Sequence, residues 1–146
     1  MRTHTHARGF TLIETLAAMA IAAVLSSIAV PSFEAQLRKA RRADLLAAVV
    51  QIQGAQERLR SRGTRYGDLP EIGAATASPG SYYTLQMSSF SADGYELRAT
   101  AAGVQARDAD CRFMVARAVG MNLVYASGSD ALVNNPDPIN RRCWSL

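Results

Sequence analysis

Histidine is almost missing from this sequence: His4 and His6 are the only two in 146 residues, and both fall before residue 10. Cysteine is as scarce, with Cys111 and Cys143 both late in the chain. Two cysteines cannot build a cysteine-type structural zinc site without histidine help, and here the histidines sit at the far end. Neither a Walker-type phosphate loop nor an HExxH pair occurs. Charge is modest too, 16 − 12 = +4, falling to 14 − 12 = +2 without Arg2 and Arg8. That excess is too mild to argue by itself for a nucleic-acid partner. A composition of 49% hydrophobic and 19% charged residues fits one folded domain rather than disorder.

What the chain does have is one long apolar run. Residues 10–30 are almost entirely Leu, Ile, Val, Ala, Met and Phe, and as a helix they would span roughly 31 Å. The hydrocarbon core of a bilayer is about 30 Å thick. A single carboxylate, Glu14, stands near the start of the run. An ionised Asp or Lys at the centre of such a helix costs about 2.5 to 3.5 kcal/mol, so Glu14 calls for a use. The short basic segment MRTHTHARG precedes the run, and no small-residue cleavage site with a polar start follows it. An ordinary secretory signal therefore fits poorly. Orientation is contradictory on these residues alone. Arg38, Lys39, Arg41 and Arg42 close behind the run favour a cytoplasmic C-terminal part. A disulfide between Cys111 and Cys143 would require an oxidising compartment, and two unrelated thiols remain the alternative.

Gly9, then FTLIE at residues 10–14, then the apolar run with Pro31 near its far end, resembles the N-terminus of the type IV pilin family. The resemblance implies cleavage by prepilin peptidase between Gly9 and Phe10 and N-methylation of Phe10. It implies an assembly role for Glu14 and Pro31, with Glu14 meeting the new amine of Phe10 on a neighbouring subunit. It also places the C-terminal part outside the cytoplasm. The physical logic is that a carboxylate in a low-dielectric bundle is tolerable only with an opposite charge in reach.

Beyond Pro31 the apolar pattern turns amphipathic. Phe33, Leu37, Ala40, Ala47, Val50 and Gly54 recur at helical spacing, widened by Leu45, Leu46, Val49 and Ile52. Arg38, Arg41, Arg42, Asp44, Glu57, Arg58 and Arg60 are expected to populate the remaining surface, and Gly63 to end a helix begun near Thr11. The cluster RKARRAD reads as a solvated, ion-paired helix face ahead of a lipid-headgroup or DNA contact, because no aromatics are interleaved with it. Residues 63–80 are loop-like. SYYTLQMSSF, GYELRATA, CRFMVAR and MNLVYASG follow as four candidate strands, with Gly94 suited to a positive φ in the first hairpin. Asp108 and Asp110 form a D-x-D that reads as a polar turn, since the other ligands of a calcium loop are missing. The tail NNPDPINRRCW reads as turn-rich.

The expected fold class is α+β, a long N-terminal α-helix packed on a small antiparallel β-sheet. Its divisions would be a leader (1–9), a transmembrane and assembly helix (10–30), an amphipathic half-helix (31–62) and a head (63–146). KARRAD, QERLRSRGTRYGDL, YYTL, GYELRAT and a closing Cys-Trp are similar to one group of minor pilins. In that family a disulfide near the C-terminus closes a surface segment, which Cys111 and Cys143 match. Once cleaved at Gly9 the chain would hold no histidine, which removes Ser-His and Cys-His nucleophile systems. The resemblance thus implies a structural minor subunit of a type IV pilus, not an enzyme, with no catalytic or metal residues and no cofactor. Its partners would be prepilin peptidase, other pilin subunits, the inner-membrane assembly machinery and the bilayer. A major pilin and a type II secretion pseudopilin are the alternatives, and DNA is a partner without support in the residues themselves.

Overall fold

The computed structural model of the chain describes residues 9–120 and 122–146. The expected leader therefore lies outside the described residues, apart from Gly9. Helix α1 runs Leu12–Arg62 and is followed by strands β1 (Tyr83–Phe90), β2 (Gly94–Ala101), β3 (Phe113–Val119) and β4 (Asn122–Gly128) and helix α2 (Asp137–Trp144). Two short 3-10 turns, Gly103–Arg107 and Ala109–Cys111, join β2 to β3. The chain divides into two compact units, Met1–Leu37 and Arg38–Leu146.

In the first unit every residue from 9 to 36 is exposed, including Phe10, Leu12, Ile13, Met19 and Ile28. Residues this apolar do not stay in water. The segment from Leu12 is long and apolar enough to cross a membrane. The helix continues through Pro31, which lacks an N–H and so leaves one carbonyl of the preceding turn without its usual donor.

The second unit is a meander in the order β1-β2-β3-β4, every neighbouring pair antiparallel. Alternation sends Tyr83, Leu85, Met87, Tyr95, Leu97, Ala99, Met114, Ala116 and Ala118 into one core with Leu45, Ala48, Val49 and Ile52 of α1. Each large aliphatic side chain fully buried there contributes about 1.5 to 3 kcal/mol. The buried helix face is thus Arg42, Leu45, Ala48, Val49, Ile52 and Gln56. This corrects the expected stripe: Phe33, Ala47 and Val50 stay exposed. The helix carries more apolar positions than one sheet can cover. Arg42 is also displaced from its expected surface position and is buried.

Both sheet edges are covered for part of their length, which removes open hydrogen-bonding groups that would otherwise recruit other strands. Along β1, Leu85 N–H donates to Thr76 O and Ser78 N–H to Tyr83 O. Along β4, Asn135 N–H donates to Ser127 O, Asn140 Nδ2 to Tyr125 O and Trp144 Nε1 to Ala126 O. The tail is therefore not the turn-rich segment expected but a helix packed on an edge strand. Gly94 also has a different cause from the one expected. Its φ is not positive; a Cβ there would lie 2.0 Å from the Ala118 carbonyl oxygen.

A buried polar cluster ties these elements together. Arg42 donates to Asp108 Oδ2 at 2.7 Å, and Gln105 Nε2 donates to both Asp108 Oδ2 and the Tyr83 hydroxyl. Burial pushes the Tyr83 phenol up to about 12 against the opposing Gln105 hydrogen bond, so it stays protonated and donates to Cys111 O. Cys111 is disulfide-bonded to Cys143 of α2, with Cα atoms 5.5 Å apart. The D-x-D is thereby split: Asp108 faces inward to Arg42, and Asp110 faces outward to Arg142.

Asp108→Ala should cost about 3 kcal/mol or more in urea unfolding, because it strands a buried guanidinium. Arg42 Nε and Gln105 Oε1 already lack hydrogen bonds among the described residues. The double variant Arg42→Met/Asp108→Leu should therefore lose much less, and equal losses would contradict this account. Cys143→Ser should lower stability by about 3 to 4 kcal/mol for a loop spanning a 32-residue separation, and an unchanged thermal midpoint without reductant would contradict it.

Candidate assembly and nucleic-acid surfaces

The expected assembly residues cluster at the start of α1. Gly9 and Phe10 precede the helix, and Phe10 is 85% exposed. Glu14 occupies the first helical turn. Its Oε2 accepts from Thr11 N–H at 3.2 Å and from the Thr11 hydroxyl at 3.3 Å, while Glu14 N–H donates to Thr11 Oγ1. That reciprocal pattern is a capping box, which satisfies amides that the first turn leaves without intrahelical partners. T-x-x-E ahead of an apolar run, here Thr11 and Glu14, is its sequence signature. Pro31 lies within α1 and is not brought near Glu14 or Phe10 by any fold-back, since all lie on or just before one helix.

The RKARRAD cluster divides once folded. Arg42 is consumed by Asp108, Arg41 lies 5.2 Å over the Tyr82 ring, and Asp44 accepts the Gly80 N–H. Arg60 donates to the Tyr66 hydroxyl, and Arg65 pairs with Glu71 while lying over Phe90. Aromatics do therefore accompany these arginines, brought in from the loop and β1 rather than from neighbouring helix positions.

A second arginine group lies on the sheet face turned away from α1. Glu96 of β2 is buried, with Arg98 two residues along the same strand and Arg117 directly opposite on β3. Arg98 Nε donates to Glu96 Oε1 at 2.8 Å, and Arg117 Nε donates to Oε2 at 2.7 Å with its NH2 group also on Oε2. Ser88 donates its hydroxyl to Oε1 at 2.7 Å. Burial alone would raise the Glu96 pKa, but the hydrogen bonds from Ser88, Arg117 and Arg98 and the Arg117 charge outweigh it. The carboxyl is held below its ordinary 4.5. Alternation in GYELRATA, which puts Glu96 and Arg98 on one face, was the available signal. The β3 partner was not readable from that stretch.

A long helix on a four-stranded antiparallel meander, with a disulfide closing its C-terminal segment, defines the type IV pilin fold. Comparison with known families agrees. Residues 4–30 match the prokaryotic N-terminal methylation motif. Residues 31–115, more than half of the chain, match the family described as type IV minor pilin ComP, DNA uptake sequence receptor. The chain belongs to that family and is a minor type IV pilin subunit. No curated protein matches it individually.

A carboxyl whose pKa is lower in the folded than in the unfolded chain stabilises the fold above the unfolded value and loses that contribution as pH falls through the folded one. The difference in thermal midpoint between the unsubstituted protein and Glu96→Gln should thus be present near neutral pH and close as the pH falls below the ordinary 4.5 and through the lowered folded value. A difference that widens on acidification would contradict the assignment.

Proposed function

We propose that this subunit is the DNA receptor of its pilus. The observation that carries the reading is that the receptor family matches residues 31–115, most of it head and none of it the common methylation segment. Charge distribution supports it. The second compact unit, Arg38–Leu146, contains 14 basic and 10 acidic residues, 14 − 10 = +4, while the preceding residues balance at 2 − 2 = 0. All its basic residues but Lys39 are arginine, whose planar fork suits phosphate better than a lysine point charge.

On this reading prepilin peptidase cuts between Gly9 and Phe10, and Phe10 is N-methylated. Residues 10–30 hold the chain in the inner membrane with residues 63–146 in the periplasm, until the assembly machinery draws it into the extracellular filament. Other pilins surround it there, and Glu14 exchanges Thr11 for the Phe10 amine of a neighbour. Its work is binding and assembly, with no catalytic step.

The processed full-length chain in nonionic detergent should bind double-stranded DNA with an affinity that falls steeply with salt, as counterion release requires. Glu14→Ala should be cut normally yet fail to enter filaments. Salt-independent or absent DNA binding would overturn the receptor reading, and normal incorporation of Glu14→Ala would overturn the charge pairing.

A further inference from the structure

The arginine pair on the outer sheet face is built unlike the other cation contacts of the head. Arg65–Glu71, Arg141–Asp137 and Arg142–Asp110 each match one cation to one largely exposed acid. Here two cations share one carboxylate, leaving a net charge of 2 − 1 = +1. The carboxylate is sunk and the cations are not: side-chain exposure is 10% for Glu96 against 37% for Arg98 and 51% for Arg117. An arginine has five N–H donors. Arg98 uses two, on Glu96 Oε1 and on the Ala131 carbonyl, and Arg117 uses two on Glu96 Oε2. Among the described residues three N–H groups remain without a partner on each (5 − 2 = 3), on guanidiniums whose planes are already fixed.

The surroundings suit an anion. Pairing of Thr84 with Thr100 and of Gln86 with Arg98 puts neutral hydrogen-bonding side chains beside the pair on the same face. On the other side Val115 is buried outside the core formed with α1, and the Asp130–Val133 turn folds back so tightly that a Cβ on Gly128 would meet Val133. The Ala131 carbonyl that anchors Arg98 comes from that turn.

We propose that Arg98 and Arg117 form a subsite for the phosphodiester backbone of DNA, and that Glu96 is the positioning residue that holds their guanidinium planes for it. The inference rests on the receptor reading and adds where one phosphate contact lies. A fixed fork binds phosphate with less loss of rotamer freedom than two free arginines would. Position and charge make opposite forecasts for Glu96. Were charge alone at work, Glu96→Gln would raise the net charge by one and tighten binding.

The test is DNA binding by the processed full-length chain, measured by fluorescence anisotropy on a labelled duplex across a salt series. Arg98→Gln and Arg117→Gln should each weaken binding about fivefold or more and flatten the log–log salt slope by about 0.9, the value for one phosphate contact. Glu96→Gln should weaken binding despite the added positive charge. Because that variant can also loosen the sheet, Arg98→Lys/Arg117→Lys supplies a second reading with Glu96 and both charges kept, and it too should bind more weakly. Unchanged slopes in the glutamine variants, or tighter binding by Glu96→Gln, would overturn the subsite and leave the receptor reading standing. Failure of the unsubstituted protein to bind duplex DNA would overturn both.

Discussion

The contact between the Arg42 guanidinium and the Asp108 carboxylate fixes how the head is assembled. Apolar packing is non-directional, so a helix lying on Leu85, Leu97 and Met114 has no strong reason to stop at one axial position. A 2.7 Å ion pair inside that packing supplies one. Asp108 reaches it only because Gly103, at φ +55, and two 3-10 turns bring the β2–β3 connection back toward the helix. Gln105 passes the constraint to Tyr83 of β1, and Cys111 passes it to Cys143 of α2. The first strand, the β2–β3 connection, the helix and the C-terminal segment therefore share one anchoring cluster, and α2 can protect the β4 edge because its own position is covalently set.

The head uses the same pair of ion types in two ways. In the Arg42–Asp108 contact both side chains are about nine-tenths buried and the charges match one to one, so little field escapes. At Glu96 the acid alone is buried and two bases surround it, so a positive remainder faces outward in a fixed geometry. Burial depth and stoichiometry, not residue type, separate a structural ion pair from a surface that can engage an anion.

Helix α1, all four strands and the disulfide were legible in the sequence, because periods of 3.6 and 2 and a pair of cysteines are local or countable signals. What escaped depended on contacts distant in sequence. Arg42 looks like any solvated base of RKARRAD until Asp108, 66 residues away, is brought beside it. The choice between the Leu45–Ile52 face and the Ala47–Val50 face is made by the sheet, and both are apolar enough to be candidates. Likewise α2 is marked by prolines and asparagines that read as turns, while Asn140 in fact bonds the backbone of an edge strand at Tyr125. The Arg117–Glu96 bond needs the β2–β3 register, which no single strand records.

On the proposed reading Glu14 would serve two states of the chain. Alone, its carboxylate is already satisfied by the Thr11 amide and hydroxyl, so a lone subunit does not hold an unpartnered charge at the start of its apolar helix. Those two donors are exposed and belong to the same turn, and the hydroxyl is neutral. An ammonium group delivered by a neighbour would offer a full opposite charge in a medium that screens it weakly, where charge-assisted hydrogen bonds exceed neutral ones about twofold. On the proposed reading the capping box is a resting contact: giving it up would free the Thr11 amide, while Thr11 Oγ1 could still accept the Glu14 amide.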